Sequence, residues 1–376
     1  MRSLTLVGSG WHPPLFRAEI MALLGPIEIL HPRIAFVTQD ESSLQSIKRA
    51  ALVDDCLRDS ARLWDPQGLD EREISNHVAE WAESRVPPGS FSVRVRRLGT
   101  ALEGLSRRKI ESETGALIAS ETRTVDLDDP ENEVVVLIAG PEDASSHWDD
   151  AQTTSLVVWG LRDETSTGAY KGKPPTERPF FKPVTLDPRL ARLMVSLAHR
   201  PGRTPTAIVD PFCGTGGIAI EASLLGMQAL ASDLDPEMVE GTTTNLQRAN
   251  GEGAYSVELC SAEEIHELWG DRPGSSFVFD PPYGRNAWTS GDGLSILMGA
   301  LSSALRMSPD GSVCTMLPTS PEALSGPLSG NQIVLGRDWD EIREMIGETG
   351  WSVVHSAPVR VHRSLSRLVV VCHPSD

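Results

Sequence analysis

Asp210-Pro-Phe-Cys-Gly-Thr-Gly-Gly217 closes one apolar run, Thr206-Ala-Ile-Val-Asp210, and opens another, Ile218-Ala-Ile-Glu-Ala-Ser-Leu-Leu225. The first run has the length and composition of a buried parallel strand; the second reads as a helix closed by Gly226. Between them Gly214, Gly216 and Gly217 let backbone approach a ligand where a Cβ would clash. A second strand is expected at about Gln228–Ser232, ending at Asp233. That acid follows the glycines by roughly 20 residues, the spacing of a ribose-binding carboxylate. Asp235 and Pro236 then read as the N-cap and first position of a helix over Glu237–Asn250. The turn lacks the Gly-Lys-Ser/Thr ending of a nucleotide-phosphate loop. The unit is βαβα, and the fold class is α/β.

Seventy residues beyond Asp210, Ser275-Ser-Phe-Val-Phe-Asp280 is another buried-strand pattern with Asp280-Pro-Pro-Tyr283 at its carboxyl end. In open α/β sheets ligands bind outside the carboxyl ends of the strands, so both motifs face one crevice. The residue types suit an exocyclic amino group on a nucleobase, whose lone pair is delocalised into the ring. The Asp280 carboxylate and the Pro281 carbonyl can each accept one of its hydrogens, favouring a pyramidal nitrogen. Pro281 and Pro282 stiffen that carbonyl, and Tyr283 offers a face on which a base can stack. Catalysis would be mainly orientation and proximity, with Asp280 as proton acceptor. In this order the motifs point to methyl transfer from S-adenosyl-L-methionine to a base nitrogen. Such an acceptor needs no covalent intermediate, so Cys213 is read as a small turn residue rather than a nucleophile.

The chain now resembles a known family, the THUMP-containing tRNA guanosine-N2 methyltransferases, and within it the archaeal type that modifies guanosine 10. The resemblance rests on Asp210–Gly217, on Asp233-Leu-Asp235 and on Asp280-Pro-Pro-Tyr-Gly-Arg285. Arg178-Pro-Phe-Phe-Lys-Pro183 with Leu186-Asp-Pro-Arg-Leu-Ala191 looks like the segment preceding the catalytic domain, and Val361-His-Arg-Ser-Leu-Ser-Arg367 like the C-terminal signature. It covers Arg178–Cys372 well and the N-terminal half more loosely. It implies a Rossmann-like seven-stranded methyltransferase domain over 179–376, a linker over 161–178, and an α+β region over 1–160 that includes a THUMP-type RNA-binding module. It implies cofactor contacts at Asp210, Phe212, Gly214, Gly216, Asp233, Leu234, Ser261 and Ala262, and catalytic roles for Asp280, Pro281, Pro282 and Tyr283. One departure stands out: Ser261 falls where an acid near the adenine is expected, with Glu263 as a substitute.

In the first half, Phe91-Ser-Val-Arg-Val-Arg96 alternates, placing Phe91, Val93 and Val95 inward and Arg94 and Arg96 outward. A helix over about 104–119 and a strand over Val134–Ala139 follow. Ser42–Leu57 reads as an amphipathic helix of a small module packed on the THUMP fold. Candidates for phosphate contact are Arg94, Arg96, Arg107, Arg108, Lys109, Lys171, Arg285 and Arg363; a solvated strand and helix face is the plainer alternative. Later strands at 312–317, 351–356 and 367–372 complete the seven-strand sheet, the last one antiparallel.

Five scattered cysteines show no zinc spacing and fit a reducing cytoplasm; no metal is expected. No apolar run approaches a membrane span, and the N-terminus lacks the apolar h-region of a signal peptide. A monomer is expected, with room for a small activator subunit. The net charge of −18 argues against indiscriminate nucleic-acid binding. Only five of the 34 basic residues are lysines, a composition that suggests a salt-adapted proteome. The alternatives are the same chemistry at another tRNA guanosine, such as position 6, or in rRNA, a DNA amino-methyltransferase, and a non-catalytic RNA-binding protein. The intact Asp280-Pro-Pro-Tyr283 argues against the last.

Overall fold

Val134 to Ala139 alternate strictly between two hydrophobic clusters, Val134, Val136 and Ile138 in one and Val135, Leu137 and Ala139 in the other. A strand buried on both faces needs no polar side, which is why this stretch is a continuous apolar run. It belongs to β7 (Asn132–Ala139) of a computed structural model that describes residues 2–39, 45–66, 68–142, 155–164, 168, 170–183, 185–282, 292–325, 328–362 and 365–375. Contacts divide the chain into one unit of residues 1–17, 26–48 and 52–169, and a second of 18–25, 49–51 and 170–376.

The first unit is an eight-stranded sheet in the order β2-β3-β1-β4-β8-β7-β5-β6. Its strands are β1 (Arg2–Gly8), β2 (Glu28–His31), β3 (Ile34–Gln39), β4 (Val53–Trp64), β5 (Gly89–Leu98), β6 (Arg123–Val125), β7 (Asn132–Ala139) and β8 (Leu156–Arg162). Helices α1 (Glu71–Arg85) and α2 (Arg107–Ile118) bury Ile74, Val78, Ile110 and Ile118 against Phe91, Val93 and Val95, as the alternation in β5 requires. Asp70 and Glu73 form a capping box that starts α1.

Two expectations fail in this unit. Residues 45–49 are one 3-10 turn and 53–64 a twelve-residue strand, where a helix over 42–57 was expected. Pairing of β4 with β1 on one side and β8 on the other overrides the local helical period. The early residues are therefore no separate module, since β1 to β4 extend the sheet that β5 to β8 begin. Strand β8 also takes in residues 161 and 162, at the start of the expected linker.

In the second unit the strands β9 (Ala207–Asp210), β10 (Gln228–Asp233), β11 (Tyr255–Leu259), β12 (Ser276–Phe279), β13 (Val313–Thr319), β16 (Trp351–His362) and β17 (Leu365–Pro374) lie in the order β11-β10-β9-β12-β13-β17-β16. The first five are parallel and β17 is antiparallel to both neighbours. A two-residue hairpin, β14 (Ile333–Val334) and β15 (Arg337–Asp338), pairs with the end of β13, so nine described strands stand where seven were expected. Strand order reverses between β9 and β12, the switch point where such sheets open a crevice. Helices α3 (Pro188–Leu197), α4 (Gly217–Leu224), α5 (Pro236–Ala249), α6 (Ile265–Trp269), α7 (Asp292–Met307) and α8 (Trp339–Glu348) connect the strands. Phe277, Phe279, Leu297, Leu301, Ile342 and Trp351 fill the core beneath the crevice, and the Trp351 indole N–H donates to the Leu301 carbonyl at 2.9 Å.

Candidate active site

Register brings three carboxylates to adjacent strand ends. Asp210 ends β9 opposite Ala231, Asp233 lies two residues further along β10, and Asp280 follows Phe279 of β12. Asp210 is buried, which pushes its carboxyl well above the usual range; Asp233 and Asp280 push it the same way, and the Phe212 N–H, donating at 3.3 Å, opposes them. No ion pair among the described residues neutralises Asp210 or Asp233. A ligand carrying sulfonium and ammonium charges fits this acidic set, as S-adenosyl-L-methionine would.

The turn is held from behind. Gly214 and Gly216 have φ of 49° and 79°. A Cβ on Gly216 would come within 2.8 Å of Thr242 Cγ2, so this glycine is required by conformation and by space. A Cβ on Gly217 would meet Leu186 at an ordinary 3.6 Å, so the third glycine is not demanded by packing. The Gly214 N–H donates to Asp233 Oδ2 at 2.9 Å and the Asp235 N–H to Asp233 Oδ1 at 3.0 Å. Each carboxylate oxygen has a further lone pair for a ligand hydroxyl. Leu234 beside it is 70% exposed. Phe212 leans on Phe279 with ring centroids 5.5 Å apart. Burial, and then Asp210 and Asp233, push the Cys213 thiol up, so it stays protonated, in keeping with a turn residue.

Ser261 accepts from the Glu263 N–H at 3.4 Å and caps a short 3-10 turn, with Ala262 buried in it. Glu263 lies over Gly299, where a Cβ would come within 2.4 Å of its Oε1. The sequence could not show that Ser261 serves as a cap or that Glu263 lies against α7. On the acceptor side Asp280 is half-buried, Pro281 buried and Pro282 exposed. Tyr283, Arg285 and Arg363 lie outside the described residues.

Residues 178–183 and 185–187 wall the turn, which sequence reasoning did not foresee. Asn245 of α5 accepts from the Phe180 N–H at 3.0 Å and donates to the carbonyls of Phe180 at 2.8 Å and Thr215 at 2.9 Å. The Phe180 ring fills the space that a Cβ on Gly241 would occupy. Gly241, a glycine inside a helical pattern, was the available signal. Thr185 and Thr215 share a hydroxyl hydrogen bond of 3.0 Å.

The basic candidates separate. Arg96 pairs with fully buried Asp55 at 2.8 Å, together with Arg162 at 3.1 Å, which gives it a structural task. Arg94 donates to the Leu127 carbonyl. Lys109 pairs with Glu71 at 3.1 Å. Arg107, Arg108 and Lys171 are exposed, with no ion pair among the described residues. No helix of the described residues is long and apolar enough to cross a membrane, and these residues contain no cluster of metal-ligating side chains.

An open, mostly parallel sheet with a glycine turn and carboxylates at its switch point is the architecture of a Rossmann-like methyltransferase. Residues 175–326 match the family model described as RMKL-like, methyltransferase domain. The class takes its methyl group from S-adenosyl-L-methionine. The tRNA (guanine(10)-N2)-dimethyltransferase of Methanothermobacter thermautotrophicus is 30% identical over 305 residues, 80% of this chain and 78% of that protein. The enzyme of the same name from Pyrococcus abyssi is 30% identical over 305 residues, 80% of this chain and 79% of its own. That of Methanocaldococcus jannaschii is 27% identical over 314 residues, 76% of this chain and 83% of its own. The chain belongs to the family of tRNA (guanine(10)-N2)-dimethyltransferases.

Proposed function

We propose that this protein methylates the exocyclic N2 of guanosine 10 in tRNA, giving N2-methylguanosine and, on a second round, N2,N2-dimethylguanosine. The convergence of Asp210, Asp233 and Asp280 at the ends of three adjacent strands carries the reading, and the names of the relatives supply the substrate. When bound, S-adenosyl-L-methionine supplies an electrophilic methyl group. Asp233 holds ribose hydroxyls, and Leu234, Ser261 and Ala262 border the adenine. The guanosine leaves its stack to enter the crevice. Asp280 and the Pro281 carbonyl hold the two amino hydrogens, Pro282 stiffens that carbonyl, and Tyr283 stacks on the base. Asp280 accepts the proton that the methylated nitrogen releases.

We assign residues 1–160 to an α+β region with a THUMP-type module that binds tRNA, and 179–376 to catalysis. Arg107 and Arg108 support this, because they are exposed in the first turn of α2 with no ion pair among the described residues, while Lys109 beside them pairs with Glu71. Cations at a helix N-terminus oppose its dipole, and a phosphate there relieves the opposition. Lys171, Arg285 and Arg363 are proposed as further RNA contacts. The protein is taken to act in the cytoplasm as a monomer, in keeping with its five free cysteines. Asp280→Ala tests the chemistry: methyl transfer should vanish while tRNA binding persists, and an active variant would overturn the mechanism.

A further inference from the structure

We propose that Arg178 binds the carboxylate at the methionine end of the cofactor and so selects S-adenosyl ligands over the bare nucleoside. The assignment rests on the cofactor reading above. Arg178 lies at the glycine turn, its Nη1 3.7 Å from where a Cβ on Gly217 would stand. That nitrogen is closed off from solvent and meets no hydrogen-bond acceptor among the described residues. An unmatched guanidinium donor of this kind is costly to bury unless an acceptor arrives with a ligand.

The surrounding carboxylates are already engaged. Glu221 Oε2 accepts from Arg192 Nε at 2.7 Å and from the Tyr170 hydroxyl at 2.7 Å. Asp187 accepts the Arg189 and Leu190 N–H groups at 3.0 and 3.2 Å as the cap of α3. Both acids help to keep Arg178 charged against the burial that disfavours its charged form. The segment carrying it is anchored at Phe180 and Thr185, so its backbone is placed beside the turn before any ligand binds.

Charge complementarity names the ligand group. Asp210, Asp233 and Asp280 stand together at adjacent strand ends, an acidic set that suits the sulfonium and ammonium groups of the cofactor and repels its carboxylate. A planar guanidinium beside the turn gives that carboxylate a fork of donors, a geometry that lysine lacks.

The test compares binding of S-adenosyl-L-homocysteine and of methylthioadenosine, which has no amino-acid end, to the full-length protein and to Arg178→Gln and Arg178→Lys. Expected is a loss of at least about tenfold in S-adenosyl-L-homocysteine affinity for Arg178→Gln. The lysine variant should fall between, and methylthioadenosine affinity should stay within about twofold for both. Equal losses for the two ligands would make Arg178 a structural residue and overturn the assignment. Unchanged S-adenosyl-L-homocysteine binding with weakened tRNA binding would make it a phosphate contact and overturn it equally. Failure of the unaltered protein to bind either ligand would instead remove the cofactor reading on which the assignment depends.

Discussion

Asp210 links the cofactor turn to the acceptor strand through its charge. Its carboxyl is raised first by burial and then by Asp233 and Asp280. A raised native pKa means that the folded state holds the proton more tightly than the unfolded chain. The resulting stability is present below the ordinary carboxylate range and is lost as pH rises toward the raised value. Asp210→Asn should remove that decline: urea unfolding followed upward from the ordinary carboxylate range should show a flatter pH dependence and greater stability at the upper end. A variant that tracks the unaltered protein as pH rises would mean that Asp210 does not titrate with folding. The strand ends at Asp210, Asp233 and Asp280 were legible because a glycine turn and a Pro-Pro turn mark them. The supports of the turn, Thr242 at Gly214 and Asn245 at Thr215, were not, because a side-chain partner far along the chain leaves no local pattern.

Helices α3 and α4 are joined through a buried ion pair, Arg192 to Glu221 at 2.7 Å, with both side chains less than a tenth exposed. Tyr170 completes it, its hydroxyl pKa pushed up to about 12 by burial and by Glu221. Breaking one partner of such a pair leaves a buried charge without compensation, so Glu221→Gln should cost about 3–5 kcal/mol in urea unfolding. A loss under about 1 kcal/mol would show that the pair is not what joins these helices. The same element scale shows where periodicity misleads. The helix α4 was legible from its apolar run, whereas residues 53–64 form a strand because two neighbours pair with it. Nothing within residues 42–57 encodes those neighbours. The segment 178–183 was recognised as a motif, but its place as a wall of the turn came only from its contacts with α5.

At the scale of the whole chain, a net charge of −18 is set against a proposed polyanionic substrate. Self-repulsion of this size is relieved by added salt, since the Debye length shrinks from about 10 Å at 0.1 M to about 3 Å at 1 M. The melting temperature should therefore rise steadily with KCl up to molar concentrations, and a fall would contradict the salt-adapted reading. Phosphate contacts weaken over the same range, which leaves more of the binding to stacking and shape. Composition and two motifs made the catalytic half and its charge problem legible. The eight-stranded sheet of the first unit was not, because its order depends on pairings between distant strands. The central claim is the acceptor, and labelled methyl transfer from S-adenosyl-L-methionine to an unmodified tRNA transcript tests it most directly, run in low and high KCl with the product nucleoside mapped by mass spectrometry. N2-methylated guanosine at position 10 is expected. Methylation elsewhere in the tRNA, or no transfer to tRNA by protein that still binds the cofactor, would contradict the claim.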